Sequence, residues 1–490
     1  MMNEREKSDS LVVPEKPPNK AEEPAAEGVE GSRLAEGKTL ECTAFRTQSR
    51  GDAHSTLERI REVARAGGRQ RFTALLHHVY DVDRLRAAYH GLKRDAAAGV
   101  DGETWQHYGR KLESNLRDLS LRLKRGAYRA KPVRRAYIPK ADGRQRPLGV
   151  PTLEDKIVQR AVVEVLNAIY EVDFLGFSYG FRPERSPHQA LDALAVGITR
   201  EKVGWVLDAD LRSFFDTLQH EWSVKFVEHR VADRRVVRLI RKWLAAGVLE
   251  DGKRIRSEVG TVQGGSISPL LANIYLHYVF DLWVHHWRQK RAHGRMIVVR
   301  FADDFVVGFQ YRQEAVQFLN ELRQRFAQFG LELHPDKTRL VEFGHFARQN
   351  RQERGEGRPE TFNFLGFTHC CARTRQGNFF VLRQTMRTRL QAKLQALKIE
   401  LRRRMHLSIP EQGAYLRSVL VGHVRYYGVH DNAARIGTFR KAVVWLWRRV
   451  LERRSQCRVS WRRLKPYVER WLPSAQVCHP YPLVRFGVIT

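Results

Sequence analysis

The stretch RFADDFVVGF, residues 300–309, constrains the fold more than any other part of this 490-residue chain. Val298 and Val299 before it and the FVVGF segment at its end have the composition of a buried β-strand. Asp303 and Asp304 interrupt that pattern, and a buried charge is costly unless a partner or a metal ion compensates it. The pattern therefore predicts a strand, a tight turn and a second strand, with both aspartates at the tip of the hairpin.

A second carboxylate site supports a functional interpretation of the hairpin. In WVLDADLRSFFD, Asp210 closes another apolar strand, two residues after Asp208. Aspartates at the ends of two adjacent strands could hold two Mg²⁺ ions about 3.5–4 Å apart, and carboxylate oxygens are ligands that Mg²⁺ prefers. Taken alone, Asp303 and Asp304 would also be compatible with an ordinary surface turn.

The charge of the chain points to a polyanionic partner. The sequence has 86 lysines and arginines, 54 acidic residues and a formal net charge of +32, an excess too large for a typical small-molecule enzyme. The excess is uneven: residues 381–470 hold 22 basic and five acidic residues, whereas residues 1–40 hold six basic and nine acidic ones. Nucleic acid is the first candidate, and a basic but functionally neutral surface is the alternative.

Other features exclude several classes of protein. The five cysteines form no Cys-x-x-Cys pair, which argues against a zinc site. No apolar run reaches the roughly 18 residues that a membrane span needs. The N-terminus MMNEREKSDS lacks the apolar core of a signal peptide, so we expect a cytoplasmic protein without a membrane partner.

Local patterns predict the order of the elements. Residues 1–55 have the composition of a disordered leader, with helices expected from there to about residue 130. Asp142-Gly143 favours a hairpin turn in RAYIPKADGRQRPLGVP. A stripe of apolar residues between Met386 and Met405, followed by helical stretches around 411–427 and 437–455, predicts a bundle of three helices.

Taken together, the motifs of the chain resemble those of the reverse transcriptases encoded by group II introns, which also act as RNA maturases. The resemblance runs from about residue 70 to the end, and no single motif carries it. The motifs occur in the family's order: RPLGVPTLEDKIVQRAV, FSYGFRPERSPHQAL, DADLRSFFD, TVQGGSISPLLANIYL, RFADDFVV, HPDKTRL, FNFLGF and GHVRYYGV.

The resemblance implies a right-hand polymerase of the α/β (α+β) class, with an antiparallel palm sheet covered by helices. The implied units are a leader (1–55), an N-terminal extension with fingers (56–199), a palm with the catalytic site (200–377), a helical thumb or maturase domain (378–475) and a tail (476–490).

Three aspartates match the catalytic carboxylates of the family. Asp210 and Asp303 would bind both Mg²⁺ ions, for which Mn²⁺ is an alternative, and Asp304 would be the third, less direct carboxylate. The family usually has tyrosine at the position of Phe301, which would pack under the primer end. Because phenylalanine loses only the hydroxyl, we expect activity to persist.

Five further residues match positions that contact the incoming nucleotide. Lys140 and Arg146 would grip the triphosphate, Phe215 would exclude a ribose 2′-hydroxyl, Gln263 would touch the sugar, and Lys337 would lie near the leaving pyrophosphate. Outside the motifs, each would be interpreted as a surface charge, a core ring or a turn residue.

Phe214, next to Phe215, is the better candidate for the core, because neighbours on a strand face opposite ways.

Two further groups match nucleic-acid contacts of the family. Leu365 and Gly366 lie in the FNFLGF hairpin that would steady the primer 3′ end. Arg425, Tyr426 and Tyr427 would bind RNA through stacking and phosphate contacts, and packing in the thumb core is an equal alternative for the tyrosines.

The resemblance implies an RNA-directed DNA polymerase that also binds its intron RNA and promotes splicing and retrohoming. Its partners would be intron RNA, an RNA template with a DNA primer, target DNA and dNTPs, for a monomer or a homodimer. No segment matches the His-Asn-His endonuclease of many relatives, which indicates the endonuclease-lacking type. The alternatives are a splicing cofactor with an inactive polymerase and a domesticated enzyme in defence or repair.

Overall fold

The computed structural model describes residues 56–68, 70–139, 145–250, 253–255, 260 and 264–485. Helices surround three separate sheets, and the α/β right-hand architecture expected from the sequence is confirmed. In these ranges no helix combines the length and the apolarity that crossing a bilayer requires. The predicted leader, residues 1–55, lies outside the described residues.

The N-terminal region is helical and builds the first core. Short helices precede a long buried one, and their apolar faces pack together with three later helices, His220–Arg230, Arg234–Leu244 and Ser268–Leu276. Asp81, Thr104 and Thr152 each cap a helix through a side-chain oxygen. The helices are α1 (56–66), α2 (Leu76–Val79), α3 (Val82–His90), α4 (Trp105–Gly109), α5 (Leu112–Lys124), α6 (Leu153–Asp173) and α7 (Pro187–Arg200).

A small sheet of four strands lies on this helical region. The predicted hairpin is confirmed, since β1 (Val133–Pro139) pairs antiparallel with β2 (Gln145–Val150). Strand β1 also pairs in parallel with β4, which in turn pairs with β5. The next elements along the chain are β3 (Trp205–Ala209), α8 (Phe214–Thr217), α9 (His220–Arg230), α10 (Arg234–Leu244), β4 (Val248–Glu250) and β5 (Lys253–Ile255).

The catalytic sheet has the strand order β6-β7-β3-β8 and is antiparallel throughout. Alternate residues of its strands enter two different cores: Leu207 and Val307 pack on one face, and Val206 and Val306 on the other. Both faces are therefore buried, which explains the nearly continuous apolar strands. The elements are α11 (Ser268–Leu276), α12 (Leu282–Lys290), β6 (Met296–Phe301), β7 (Asp304–Phe309), α13 (Arg312–Ala327), β8 (Arg339–Glu342) and α14 (Ala347–Glu353).

A π-helical turn, His277–Asp281, joins α11 and α12. It widens the helix by one residue at a buried position, and such bulges are frequent at functional sites. Both His277 and Asp281 are buried. The feature leaves no trace in the apolar periodicity of the sequence.

A third sheet and a helical bundle complete the fold. The strands β9 (Phe362–Phe364), β10 (Phe367–Arg373) and β11 (Phe379–Thr385) cover the second face of the catalytic sheet. Helices α15 (Arg387–Arg403), α16 (Ile409–Tyr427), α17 (Ala433–Ser455) and α18 (Trp461–Trp471) share one core. The expected bundle of three helices was incomplete, because Leu464 and Val468 of α18 are buried in the same core.

The C-terminal segment runs from the helical bundle to α7. Cys478 donates its amide hydrogen to the carbonyl of Gly428, just after α16, at 2.8 Å. The short helix α19 (Pro482–Arg485) packs on α7, where Arg485 pairs with buried Asp192 at 2.6 Å. This segment therefore contacts both the end of α16 and α7.

Candidate active site

The edge of the catalytic sheet brings three aspartates together. Asp210 follows β3 directly, and the pairing of Ala209 with Phe305 places it beside the start of β7. Asp303 lies in the turn between β6 and β7, and Asp304 is the first residue of β7. The carboxyl group of Asp304 is within hydrogen-bonding reach of that of Asp210. The structure thus places these side chains where adjacent strand ends predict them, while their catalytic role stays a prediction.

The accumulated negative charge changes the titration of Asp304. Desolvation of the Asp304 carboxyl group by the surrounding protein is the largest cause, and the negative charges of Asp303, Asp210 and Asp208 add to it. Together they raise the pKa of Asp304 to about 7, although the residue as a whole is exposed. Crowding of this kind is unfavourable for a folded chain unless cations compensate it. The cluster is therefore electrostatically suited to a cation.

One cation of the chain already contacts the cluster. Lys337 forms an ion pair with Asp210, and its side chain is 57% exposed. The backbone of the same loop also reaches Asp210, because His334 donates its amide hydrogen to the Asp210 carbonyl at 2.8 Å. The HPDKTRL motif therefore lies directly beside the catalytic strand.

Asp208 is a fourth carboxylate near the cluster, and the sequence pattern gave it no role. Burial raises its pKa to about 6, against the opposing effects of Arg339 and of the Asn363 amide. Its carboxylate lies 3.8 Å from Arg339, which also donates to the carbonyl of Thr361. Asp208 therefore connects the catalytic strand with β9 and the hairpin that follows.

The donor set suits Mg²⁺ chemically, since all the contributing atoms are carboxylate oxygens. Across the described ranges, no group of three or more histidine, cysteine, aspartate or glutamate side chains is already arranged as a metal-binding set. The ion pair between Asp210 and Lys337 occupies one of the carboxylates in this arrangement. The fit to a metal thus rests on the ligand type and on the unbalanced charge.

The predicted nucleotide gate lies close to this edge. Phe215 is partly buried and meets Phe214 edge-on, with the ring centroids 5.5 Å apart. Phe214 is 3% exposed, so its assignment to the core is confirmed. The reason given for it was wrong, because both residues belong to the helical turn Phe214–Thr217 and not to a strand.

Three predicted nucleotide contacts cannot be placed. Lys140 and Gln263 lie outside the described residues, and the side chain of Arg146 is not described, although its backbone belongs to β2. Nearby, Gly264 adopts a φ of +116°, and a Cβ atom there would lie 2.4 Å from the carbonyl oxygen of Gly149. Gly264 therefore packs closely against β2 at a position where a side chain would not fit.

The hairpin predicted to hold the primer has a tight tip. Leu365 and Gly366 join β9 to β10, both with positive φ values of 48° and 82°. Only glycine adopts this region without strain, so Gly366 has the role expected of it at the turn. Phe301 is partly buried and packs, like Leu365, on the second core of the catalytic sheet.

The residues predicted to bind RNA form the end of α16, beside this hairpin. Tyr426 donates its hydroxyl hydrogen to the carbonyl of Leu365 at 2.8 Å, and Tyr427 packs against Phe367 with the ring centroids 5.1 Å apart. Arg425 is exposed. The tyrosines thus have packing partners in the chain, as in the alternative interpretation, and an RNA contact stays a prediction.

Comparison with known proteins agrees with this geometry. A family model described as reverse transcriptase (RNA-dependent DNA polymerase) matches residues 138–369, which include both carboxylate sites. Protein YkfC of Escherichia coli is 35% identical over 298 residues, covering 53% of this chain and 78% of YkfC.

Relatives with intron-related names match shorter parts of the chain. The group II intron-encoded protein LtrA of Lactococcus lactis is 38% identical over 224 residues, covering 45% of this chain and 37% of LtrA. Nuclear intron maturase 2 of Arabidopsis thaliana is 30% identical over 111 residues, covering 21% of this chain and 15% of that protein. The chain therefore aligns with well under half of LtrA.

The order of the motifs, the convergence of the carboxylates on one sheet edge and these similarities agree with one another. The chain belongs to the family of reverse transcriptases and maturases encoded by group II introns.

Proposed function

We propose that this protein is an RNA-directed DNA polymerase that extends a DNA primer along an RNA template. The supporting observation is the meeting of Asp210, Asp303 and Asp304 at the ends of adjacent antiparallel strands. The reaction is attack of the primer 3′-hydroxyl on the α-phosphate of a dNTP, with pyrophosphate as the leaving group. The new ester bond forms as the bond to pyrophosphate breaks, so the reaction needs no external oxidant or reductant.

Asp210 and Asp303 would hold two Mg²⁺ or Mn²⁺ ions, with Asp304 as the third carboxylate. When bound, such ions would lower the pKa of the attacking hydroxyl and neutralise charge on the leaving group. The protein holds the carboxylates at the edge of a sheet whose two faces are both buried in hydrophobic cores. No backbone rearrangement is needed to bring the two strand ends together.

Other side chains orient the reactants. Lys337, a cation that pairs with Asp210, is placed to neutralise or protonate the leaving pyrophosphate. Phe215 would reject a 2′-hydroxyl through the bulk of its ring, and Lys140, Arg146 and Gln263 would contact the dNTP. Leu365 and Gly366 would steady the primer end at the tip of their hairpin.

The domain organisation follows from the same proposal. Fingers (56–199), palm (200–377) and thumb (378–475) would enclose the template and primer, and residues 1–55 and 476–490 would flank them. The basic surface of the thumb would bind nucleic acid, with exposed Trp445 and Trp461 available to stack on unpaired bases. Through this surface and through Arg425, Tyr426 and Tyr427, the protein would bind group II intron RNA and promote splicing and retrohoming.

The test is primer extension on an annealed RNA template with dNTPs and Mg²⁺. The wild type should give long DNA products, and Asp303→Ala should reduce the rate on the order of 10²–10³-fold or more, as when preorganised electrostatic stabilisation is lost. Asp118→Ala is the matched control, since that aspartate lies on α5 with its side chain 63% exposed. Equal activity of the wild type and Asp303→Ala would contradict the assignment of the site.

Intron binding needs a separate measurement, because any basic protein binds RNA through phosphate contacts that weaken steeply with salt. We expect a group II intron RNA to be retained at raised salt in preference to a scrambled RNA of equal length. No polymerase activity with tight, selective intron binding would favour a splicing cofactor.

A further inference from the structure

A fully buried arginine lies directly beneath the catalytic turn. Arg300 is the last residue but one of β6, and its side chain has no solvent exposure. Asp281 of the π-helical turn, also fully buried, accepts from Nε at 2.7 Å and from Nη2 at 2.6 Å. A two-pronged contact of this kind fixes the plane of the guanidinium group.

The remaining hydrogens of Arg300 are also used. Nη2 donates to the Ser178 hydroxyl at 2.7 Å, and Nη1 donates to the side-chain oxygen of Asn273 at 3.0 Å. The second Nη1 hydrogen bond goes to the carbonyl of Ala302 at 2.9 Å. All five N–H donors of the guanidinium thus have an acceptor, which is what burial of such a charge requires.

The contact with Ala302 connects this network to the proposed metal ligands. Ala302 is the turn residue before Asp303 and has a positive φ of 58°, a conformation that is uncommon for a residue with a side chain. Because the peptide unit is planar, holding the Ala302 carbonyl also fixes the amide of Asp303. The position of the Asp303 Cα atom, and the direction in which its side chain leaves the backbone, therefore depend on Arg300.

The same network brings a second segment against the turn. Asn273 donates to the carbonyl of Gly180 at 2.7 Å. A Cβ atom on Gly180 would lie 2.2 Å from the amide nitrogen of Ala302, so the two backbones are in close contact. The Arg300 backbone also bonds to Phe177 and Tyr179 of this segment, at 2.9 and 2.8 Å.

We infer that Arg300 is a positioning residue, which holds the Ala302–Asp303 peptide in the conformation that catalysis needs. The inference rests on the proposed polymerase function and deepens it by assigning a role to a residue that contacts neither substrate nor metal. Lysine keeps the positive charge but offers three donors from one point, so it cannot satisfy Asp281 and the turn together.

The test compares Arg300→Lys with Arg230→Lys. Arg230 is another buried arginine, 1% exposed, and it pairs with Asp173 and contacts the carbonyl of Gly67, away from the turn. Both variants are measured at a temperature at which circular dichroism shows them folded. Single-nucleotide incorporation at saturating dNTP and backbone hydrogen exchange across residues 298–306 are the two readouts.

For Arg300→Lys we expect the incorporation rate to fall about 10–100-fold, as for partners that orient metal ligands. The Mg²⁺ concentration for half-maximal rate should rise, the KM for dNTP should stay nearly constant, and exchange at the turn should accelerate. Arg230→Lys should change none of these at the turn. Equal rates and equal exchange in the two variants would overturn the inference.

The two proposals can fail separately. If the wild type extends no primer, the polymerase function is wrong, and the exchange measurement alone still decides whether Arg300 holds the turn. If Arg300→Lys does not fold, Asn273→Ala replaces it, because it removes one Nη1 acceptor and the bond to Gly180. A smaller loss of rate with faster exchange at the turn would support the inference, and unchanged values would overturn it.

Discussion

Two hairpin tips face the proposed active site, and they are held in different ways. The tip at Ala302 and Asp303 is fixed from within the palm by buried Arg300, which pairs with Asp281. The tip at Leu365 and Gly366 is held by the hydroxyl of Tyr426 on α16, a helix of the proposed thumb. Both tips contain a residue with positive φ next to an apolar strand.

The two tips therefore differ in which parts of the chain can change their position. The hydrogen bonds described above for the catalytic tip join residues between Ser178 and Ala302, and the proposed thumb contributes none of them. The primer tip shares a hydrogen bond with the thumb, so a shift of that domain is transmitted to the proposed primer contact. We therefore expect substitutions at the first tip to affect chemistry, and those at the second to affect the grip on the primer.

The strongest test of the catalytic tip is Gly180→Ala. The new methyl group would lie 2.2 Å from the Ala302 nitrogen, where backbone must move, so we expect a loss of stability of about 1–3 kcal/mol from overpacking, with a large loss of incorporation rate. Urea unfolding measures the stability. Gly437→Ala is the control: it lies in α17 with no atom within 4 Å, and helix propensity predicts a gain of roughly 0.5–1 kcal/mol.

The corresponding change at the primer tip is Gly366→Ala. Its φ of 82° should cost about 1–2 kcal/mol for a residue with a Cβ atom. The nearest atom is the flexible end of Arg389, which can move away. Single-nucleotide addition should therefore be affected less than by Gly180→Ala, while the length of products per binding event should shorten. A larger rate defect at Gly366 than at Gly180 would reverse the proposed division.

Tyr426→Phe removes only the hydroxyl that joins the thumb to the primer tip. The loss of one hydrogen bond to the Leu365 carbonyl should cost about 0.5–1.5 kcal/mol of unfolding free energy. Thermal unfolding at fixed pH compares it with Ser418→Ala, which removes the hydrogen bond to the Tyr415 carbonyl within α16. Equal product lengths for Tyr426→Phe and the wild type would argue against coupling between thumb and primer tip.

The smallest expected effect concerns pH and only the catalytic tip. Because the pKa of Asp304 is raised from 3.8 to about 7, the folded protein binds more protons than the unfolded chain between these values. Its contribution to stability therefore decreases as pH rises through this range. In EDTA, the difference in Tm between Asp304→Asn and the wild type should grow from pH 5 to pH 7.5, and Mg²⁺ should reduce it.

An unchanged difference in Tm across this pH range would contradict the raised pKa. Gly366→Ala, measured under the same conditions, should show no such dependence, because its tip carries no carboxylate. The measurement thus separates the two tips by charge alone.

The local sequence pattern predicted two parts of the site, the hairpin that carries Asp303 and the strand end that carries Asp210. The β6–β7 hairpin with Asp303 at its tip follows from strand composition and turn position, and Asp210 follows from the end of an apolar strand. The family motifs, not periodicity, indicated Lys337, which the structure places on Asp210.

Features that depend on distant contacts were not predictable in this way. Arg300 looks like any charge in a strand until Asp281, Asn273 and Ser178, contributed by other segments, surround it. The π-helical turn was also not predictable from the sequence pattern, since one extra residue does not change the apolar composition of the segment. The sequence pattern did not predict α18, the fourth helix of the bundle, because this arginine-rich helix buries only Leu464 and Val468.

The π-helical turn restricts how this enzyme can be engineered. Removing one residue between His277 and Asp281 would convert the segment into regular helix. It would also rotate Asp281 by about 100° about the helix axis relative to the preceding turn, because each α-helical residue advances by one part in 3.6 of a turn. Shortening the turn would therefore leave the buried charge of Arg300 without its main partner, so a more regular helix would here come with a less stable and less active protein.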